Sequence, residues 1–344
     1  MSDAHKIFET YAKVVEEGFK LDKKPRYRSY SVSTLRGGVG KSTLSFNLAY
    51  EMSREVSVLV GDLCPQRNLT ESLMRGVEQE VTVFQALQPK ILGEAFGSHL
   101  SDISYRISKY CDAFKGGRPA YFVPGDPEMF AFPSTLYQQL QIANARNNAN
   151  AVRSLLHALS TVLEEERQDK NCDTILLDTS PFYAGGTHLA WCASEAIIIP
   201  VRVDEHSIES LSLTLDMLSN PGKDFMMWNE RAGGLASPRV AAIVMTMAGA
   251  RSATKSVLDG ASQMYIQRAM KLAEKHAKLF DGDPSDSFAI TDDFVSAGRI
   301  SGAQSIPISQ LKVGKFHTVE GKRLQVNQSV IRYQHELAYL TSII

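Results

Sequence analysis

Apolar residues change their spacing several times in this sequence, and each change predicts a different element. In the first twenty residues Ile7, Phe8, Tyr11, Val14 and Val15 recur three and four positions apart, which predicts an amphipathic helix. The basic connector "KLDKKPRYR" follows it. Such a helix can pack on the body of the domain or serve as a dimerisation or DNA-contacting arm, and periodicity alone leaves both readings open. From Tyr30 the spacing becomes βα in kind. "SYSVST" reads as a strand, "KSTLSFNLAYEMSR" as a helix and "VSVLVGD" as a second strand.

Residues 88–119 are irregular and read as an insertion carrying a short helix, closed by the brief strand and turn of "PAYFVPGDP". A long helical tract spans about 134–169, with a break expected at "RNNANA". "CDTILLDTSP", "EAIIIPVRV" and "PRVAAIVMTMAG" are short aliphatic runs of the kind buried on both faces of a parallel sheet. "QRAMKLAEKHAKLF" and "RYQHELAYLTSII" read as late helices. Strands alternating with helices predict an α/β, doubly wound, mostly parallel sheet with helices on both faces and an extra N-terminal helix. Residues 1–28 form the extension and linker, and 29–344 a single elaborated domain.

Composition narrows this picture only a little. The 344 residues are 44% hydrophobic and 22% charged, with a formal net charge of -1, so any nucleic-acid surface must be a local patch. Cys64, Cys111, Cys172 and Cys192 are scattered without a C-x-x-C pair, which argues against zinc knuckles, iron–sulfur clusters and a disulfide framework. There is no signal-peptide layout and no run of 18 apolar residues, so a cytoplasmic chain without a membrane span is expected.

The chemistry is concentrated in "TLRGGVGKST", residues 34–43. Gly37, Gly38, Gly40, Lys41 and Ser42 sit between a predicted strand and a predicted helix. Glycines allow backbone N–H groups to converge on phosphate oxygens, and the helix N-terminus adds a favourable partial charge. In such a loop Lys41 reaches the β- and γ-phosphates and the Ser42 hydroxyl ligates Mg²⁺. The usual G-x-x-x-x-G-K-[ST] pattern would place Gly at position 35, where this chain has Leu35.

That departure makes the stretch resemble the deviant Walker A loop of the ParA/MinD family of ATPases, K-G-G-x-G-K-[ST], with Arg36 in place of the first lysine. The resemblance continues in "VLVGDLCPQRNLT", similar to the ParA second motif. It retains Asp62, Pro65, Gln66, Asn68 and Thr70, while Cys64 replaces the second aspartate. "DTILLDTSPFYAG" resembles the Walker B strand, ending in Asp178 and carrying Pro181. Two further segments, "EAIIIPVRVDEHSIESL" and "AAIVMTMAGA", resemble family strands whose ends approach the nucleotide base. The likeness covers most of residues 29–340, weakly through the insertion.

The resemblance implies a P-loop NTPase fold, ATP and Mg²⁺ as cofactors and an ATP-sandwich homodimer. It assigns Gly37, Gly38, Val39, Gly40, Lys41, Ser42, Thr43, Gln66, Pro181 and Met247 to the nucleotide, Ser42, Asp62 and Asp178 to the metal, and Arg36, Lys41, Asp62 and Cys64 to catalysis. Arg36 is expected to reach the partner's nucleotide, or to act within one subunit. A thiol positions water poorly, so Cys64 implies slow intrinsic hydrolysis. The resemblance also implies non-specific DNA binding, nucleoid association when ATP-bound and a ParB-like or other adaptor that stimulates hydrolysis. The cations proposed for DNA are Arg251, Lys255, Lys312, Lys315, Lys322, Arg323 and Arg332. "KVGKFHTVEGKR" shows no aromatic interleaving that would suggest base stacking.

His206, His317 and the aspartates at 281, 283, 292 and 293 read as surface, capping or turn residues rather than metal ligands. Two other functions remain: a switch or scaffold that binds ATP with little turnover, and a metabolic or metal-delivery relative. Missing cysteine pairs argue against the iron–sulfur members of the latter.

Overall fold

The N-terminal periodicity forms α1 (Ala4–Glu17) and the first apolar run forms β1 (Ser29–Val32) in the computed structural model, which describes residues 4–20, 23–249 and 257–344. Next come α2 (Lys41–Glu55), β2 (Val58–Asp62), α3 (Asn68–Met74), α4 (Val83–Leu92), β3 (Tyr105–Arg106) and β4 (Ala120–Val123). The middle of the chain holds α5 (Phe132–Ala145), α6 (Ala149–Leu156), α7 (Ala158–Asp169), β5 (Thr174–Asp178), α8 (Gly186–Ala193) and β6 (Ala196–Arg202). Then follow α9 (Glu205–Ser219), α10 (Asp224–Arg231), β7 (Arg239–Thr246), α11 (Gly260–Lys275), β8 (Phe288–Ile290) and α12 (Val295–Gln304). The hairpin β9 (Phe316–Val319) and β10 (Lys322–Gln325) precedes α13 (Val330–Ile343).

Among the described residues eight strands form one sheet in the order β3-β4-β2-β5-β1-β6-β7-β8, parallel throughout except where β3 runs antiparallel to β4. Side chains alternate across each strand, so one apolar run feeds two cores. Ala196 and Ile198 join the layer under α2 and α13, whereas Ile197, Ile199 and Val201 join the layer under α9 and α11. Leu59, Ile175 and Leu177 pack against α4, α5 and α7 on that second face. β1 lies between β5 and β6, with the chain winding outward from it in both directions, so the crevice beyond its carboxyl end is a topological switch point.

The expected long helical tract is three helices, α5, α6 and α7. Asn147 takes a left-handed φ of 51°, and the Asn148 side chain caps α6 by accepting the Ala151 N–H at 2.9 Å. A second break at His157 carries no glycine or proline that would announce it. The segment expected as an irregular insertion begins inside α4, whose capping box pairs Thr82 with Gln85. It continues through the edge strand β3 and then two short 3₁₀ turns, Ile107–Lys109 and Asp112–Gly116, to β4.

The N-terminal helix packs on the body. Ala4, Ile7 and Tyr11 are buried in the layer that holds α9 and α11, Val14 is buried beside them on the same helix, and α1 also contacts the C-terminal helix. Among the described residues no helix is long and apolar enough to cross a membrane.

Candidate nucleotide site

The loop after β1 is built for close backbone approach. Gly38 and Gly40 have φ of 75° and 80°, and a Cβ at either would meet nothing, so conformation rather than crowding requires glycine there. Gly40 is the N-cap of α2 and supplies no side-chain acceptor, which leaves the first amides of the helix directed outward. Val39 is buried, and its carbonyl accepts the Thr246 hydroxyl at 3.1 Å, tying the loop to the end of β7.

Behind this loop stands Asp178, fully buried at the end of β5. One carboxylate oxygen accepts the Ser42 hydroxyl at 2.7 Å; the other accepts Ser45 at 2.7 Å and Lys41 Nζ at 3.3 Å. Lys41 Nζ also donates to the Thr179 carbonyl. Asp62 lies opposite Asp178 in the register of β2 and β5. Its oxygens accept the Cys64 N–H at 3.0 Å, the Thr70 N–H at 3.0 Å and the Thr70 hydroxyl at 2.8 Å. Burial, and then the neighbouring Asp178, raise its pKa above the ordinary carboxylate value.

Arg36, Gly37, Lys41, Cys64, Gln66 and Pro181 share a cavity of about 350 Å³ at the mouth of the loop, which Gly38, Gly40, Ser42 and Thr43 also line. Cys64 is 2% exposed, and burial raises its thiol pKa, so at neutral pH it is a protonated thiol. The Arg36 guanidinium pairs with Asp204 of its own chain. Asp204 also caps α9 through the Ser207 N–H at 2.9 Å and holds Arg202 at 3.2 Å. A second cavity of about 280 Å³ lies on the other side of the loop, against Gly40, Thr43, Thr246, Met247, Thr291 and Asp292. Met247 takes φ 57°, a left-handed turn at the end of β7 that is uncommon outside glycine and asparagine.

Ser45, Thr179, Asp204 and Thr291 went unread in the sequence, and Asp292, read there as a turn carboxylate, walls the second cavity and pairs with Arg332. Ser45 had a signal, since it lies three residues after Ser42 on the same helix face. Asp204 caps α9 in the structure, and nothing local in the sequence linked it to Arg36.

The cations proposed for DNA fall into three groups. Lys312, Lys315, Lys322 and Arg323 are exposed on and beside the β9–β10 hairpin. Arg323 lies 4.0 Å over the ring of Phe316, which is 45% exposed, so an aromatic does stand among them. The sequence spacing hid this pair because the hairpin turn at Glu320 and Gly321 brings distant residues face to face. Arg332 is a correction: it is 7% exposed, paired with Asp292 and 3.6 Å from Glu336, and faces the interior. Arg251 and Lys255 lie outside the described residues.

Nothing here requires more than hydroxyl and carboxylate oxygen beside a concave row of amides. Ser42 and Asp178 form the type of oxygen pair that, with phosphate oxygens, suits Mg²⁺. The glycine loop opening α2 at the switch point of a parallel sheet defines the P-loop nucleotide-binding class. Residues 27–224 match a family model described as an AAA domain, and the chain belongs to that family; within it the protein is of ParA/MinD type. The chain is 26% identical over 228 residues to the chromosome-partitioning ATPase Soj of Thermus thermophilus, spanning 66% of this chain and 72% of that one. It is 25% identical over 190 residues to the chromosome partitioning protein ParA of Myxococcus xanthus, spanning 54% and 56%. Its fold resembles the ATP complex of Cyanothece McdA, with a TM-score of 0.58 at 17% identity over 82% of this chain and 89% of that one. It also resembles a plasmid partition protein of Borrelia burgdorferi, with a TM-score of 0.50 at 14% identity over 92% and 99%.

Proposed function

We propose that this chain is a ParA-type partition or positioning ATPase. It binds ATP with Mg²⁺, dimerises around the nucleotide and, in that state, holds DNA non-specifically to segregate DNA or place another cargo. The observation that carries the reading is the convergence of Lys41, Ser42 and Asp178 within 3.3 Å behind an uncapped helix N-terminus. The amides of residues 37–42 cradle phosphate oxygens, and Lys41 exchanges Thr179 for them. Ser42 and Asp178 hold the metal shell, with Asp62 behind. Bound Mg²⁺ supplies charge neutralisation between phosphate oxygens. Met247 and the second cavity take the base. Arg36 leaves Asp204 to reach the nucleotide of a second copy.

Lys312, Lys315, Lys322 and Arg323 supply phosphate contacts that weaken steeply with salt. A ParB-like adaptor accelerates turnover, and the ATP-bound dimer sits on the nucleoid of the cytoplasm. Size measurement with ATP, ADP and no nucleotide tests this on wild type and Lys41→Ala. A dimer formed only by wild type with ATP is expected, and an oligomer indifferent to nucleotide would remove the mechanism.

A second reading, a switch with little turnover, is favoured by one observation. Where a water-positioning carboxylate is expected, Cys64 presents a buried protonated thiol. Turnover measured with and without DNA separates the two.

A further inference from the structure

We infer that the N-terminal helix is a strut for the nucleoside end of the site, with Tyr11 and Glu336 as positioning residues for the loop that follows β8. This rests on reading the two cavities beside the glycine loop as one nucleotide site.

The connection is a chain of direct contacts. Tyr11, 4% exposed in the middle of α1, donates its hydroxyl to Glu336 Oε1 at 3.0 Å. Glu336, 1% exposed on α13, accepts the backbone N–H of Asp292 on Oε2 at 3.1 Å. Asp292 in turn pairs with Arg332 and accepts the Asp293 N–H at 2.6 Å. Thr291 and Asp292 wall the second cavity opposite Gly40 and Thr43 of the phosphate loop. One carboxylate therefore joins a helix at the start of the chain to a backbone amide at the nucleoside pocket.

The helix is held so that Tyr11 keeps its register. Lys6 pairs with Asp286 at 2.6 Å near one end. At the other end Gly18, with φ of 79°, lies so close to His335 that a Cβ would come within 2.9 Å of its ring. Phe19 meets Tyr339 edge-on at 5.4 Å. Apolar burial would fasten α1 without any polar group, so a hydroxyl aimed at a buried carboxylate adds position to attachment. A buried carboxylate needs its donors, and losing one loosens what the other oxygen holds. The phosphate end of the site shares none of these groups.

The test compares two probes, ATP and inorganic tripolyphosphate, by calorimetric titration of the full chain. Tyr11→Phe keeps the ring packing and deletes only the hydroxyl. It is expected to weaken ATP binding about three- to tenfold and leave tripolyphosphate binding unchanged. Glu336→Gln is expected to act in the same direction, and the double variant to fall short of the product of the two, since both act on one contact. A lower melting temperature with an unchanged ratio of ATP to tripolyphosphate affinity would show a merely structural role and overturn the inference. Lys41→Ala, weakening both probes, would show that the nucleotide reading stands by itself. Wild type binding neither probe would overturn the reading and the inference together.

Discussion

Two buried aspartates end adjacent strands in register, yet their surroundings differ. Asp178, closing β5, has its oxygens turned to Ser42, Ser45 and Lys41, side chains of the helix that the phosphate loop opens. Asp62, closing β2, is taken up by Cys64 in the loop that follows and by Thr70 in the first turn of α3. A Cβ on Gly125 would come within 3.0 Å of Asp62, so the β4 side closes over it as well. The first carboxylate faces the side chains that open α2 behind the phosphate loop. The second organises the loop that carries Cys64 and Gln66 to the cavity wall. Being an aspartate at a strand end therefore does not fix a role; the direction of the available donors does.

The contrast breaks most visibly at the phosphate end. Asp178→Asn and Lys41→Ala should each lower ATP affinity by roughly a hundredfold or more, because a charge-assisted partner of the phosphate or metal is lost in a buried site. Calorimetric titration reads this, and an Asp178→Asn protein binding ATP normally would end the distinction. The next effect concerns rate. Cys64→Asp should raise single-turnover hydrolysis roughly tenfold or more with ATP affinity little changed, since a carboxylate orients water where a protonated thiol does not. An unchanged rate would count against slow hydrolysis being due to Cys64.

Thr70→Val sharpens the Asp62 side. It removes one donor to a buried carboxylate and the acceptor of the Gly125 N–H, at 3.0 Å. Stability should fall by about 1–3 kcal/mol in urea unfolding, with a much smaller change in ATP affinity than Asp178→Asn produces.

The smallest effect at neutral pH lies just beyond β5, at His188 in α8. The ring is fully buried, and burial pushes its pKa down to about 3. Between the ordinary histidine value and about 3 the unfolded chain binds the extra proton, so stability falls as pH drops through that window. His188→Gln should flatten this part of the pH–stability curve, and an unaltered slope would show that the ring is not the titrating group.

Legibility in the sequence followed the range of the interactions. Gly37 to Ser42 were readable because strand, loop and helix are consecutive, and Gly38 and Gly40 answer a local backbone demand. β2, β5, β6 and β7 were readable as aliphatic runs bounded by turns. β8 has only three residues, too few to show a period, and the break at His157 lacks any breaker residue. Arg332 looked like a surface cation because its partners Asp292 and Glu336 come from another loop and the next helical turn. Phe316 and Arg323 are seven positions apart, and only the hairpin turn stacks them.

By itself the sequence determined the α/β alternation, the phosphate loop, the two motif aspartates and the substitution of Cys64. These rest on backbone preference and on periodic burial, which act over a few neighbouring residues. The tertiary structure alone decided that Arg36 faces Asp204, that Asp62 and Asp178 differ in their donors, and that Tyr11 meets Glu336. Those contacts join groups up to 325 positions apart. They exist only once packing has chosen which helix lies over which strand, because hydrogen bonds reach about 3 Å and no local pattern encodes a partner at that distance.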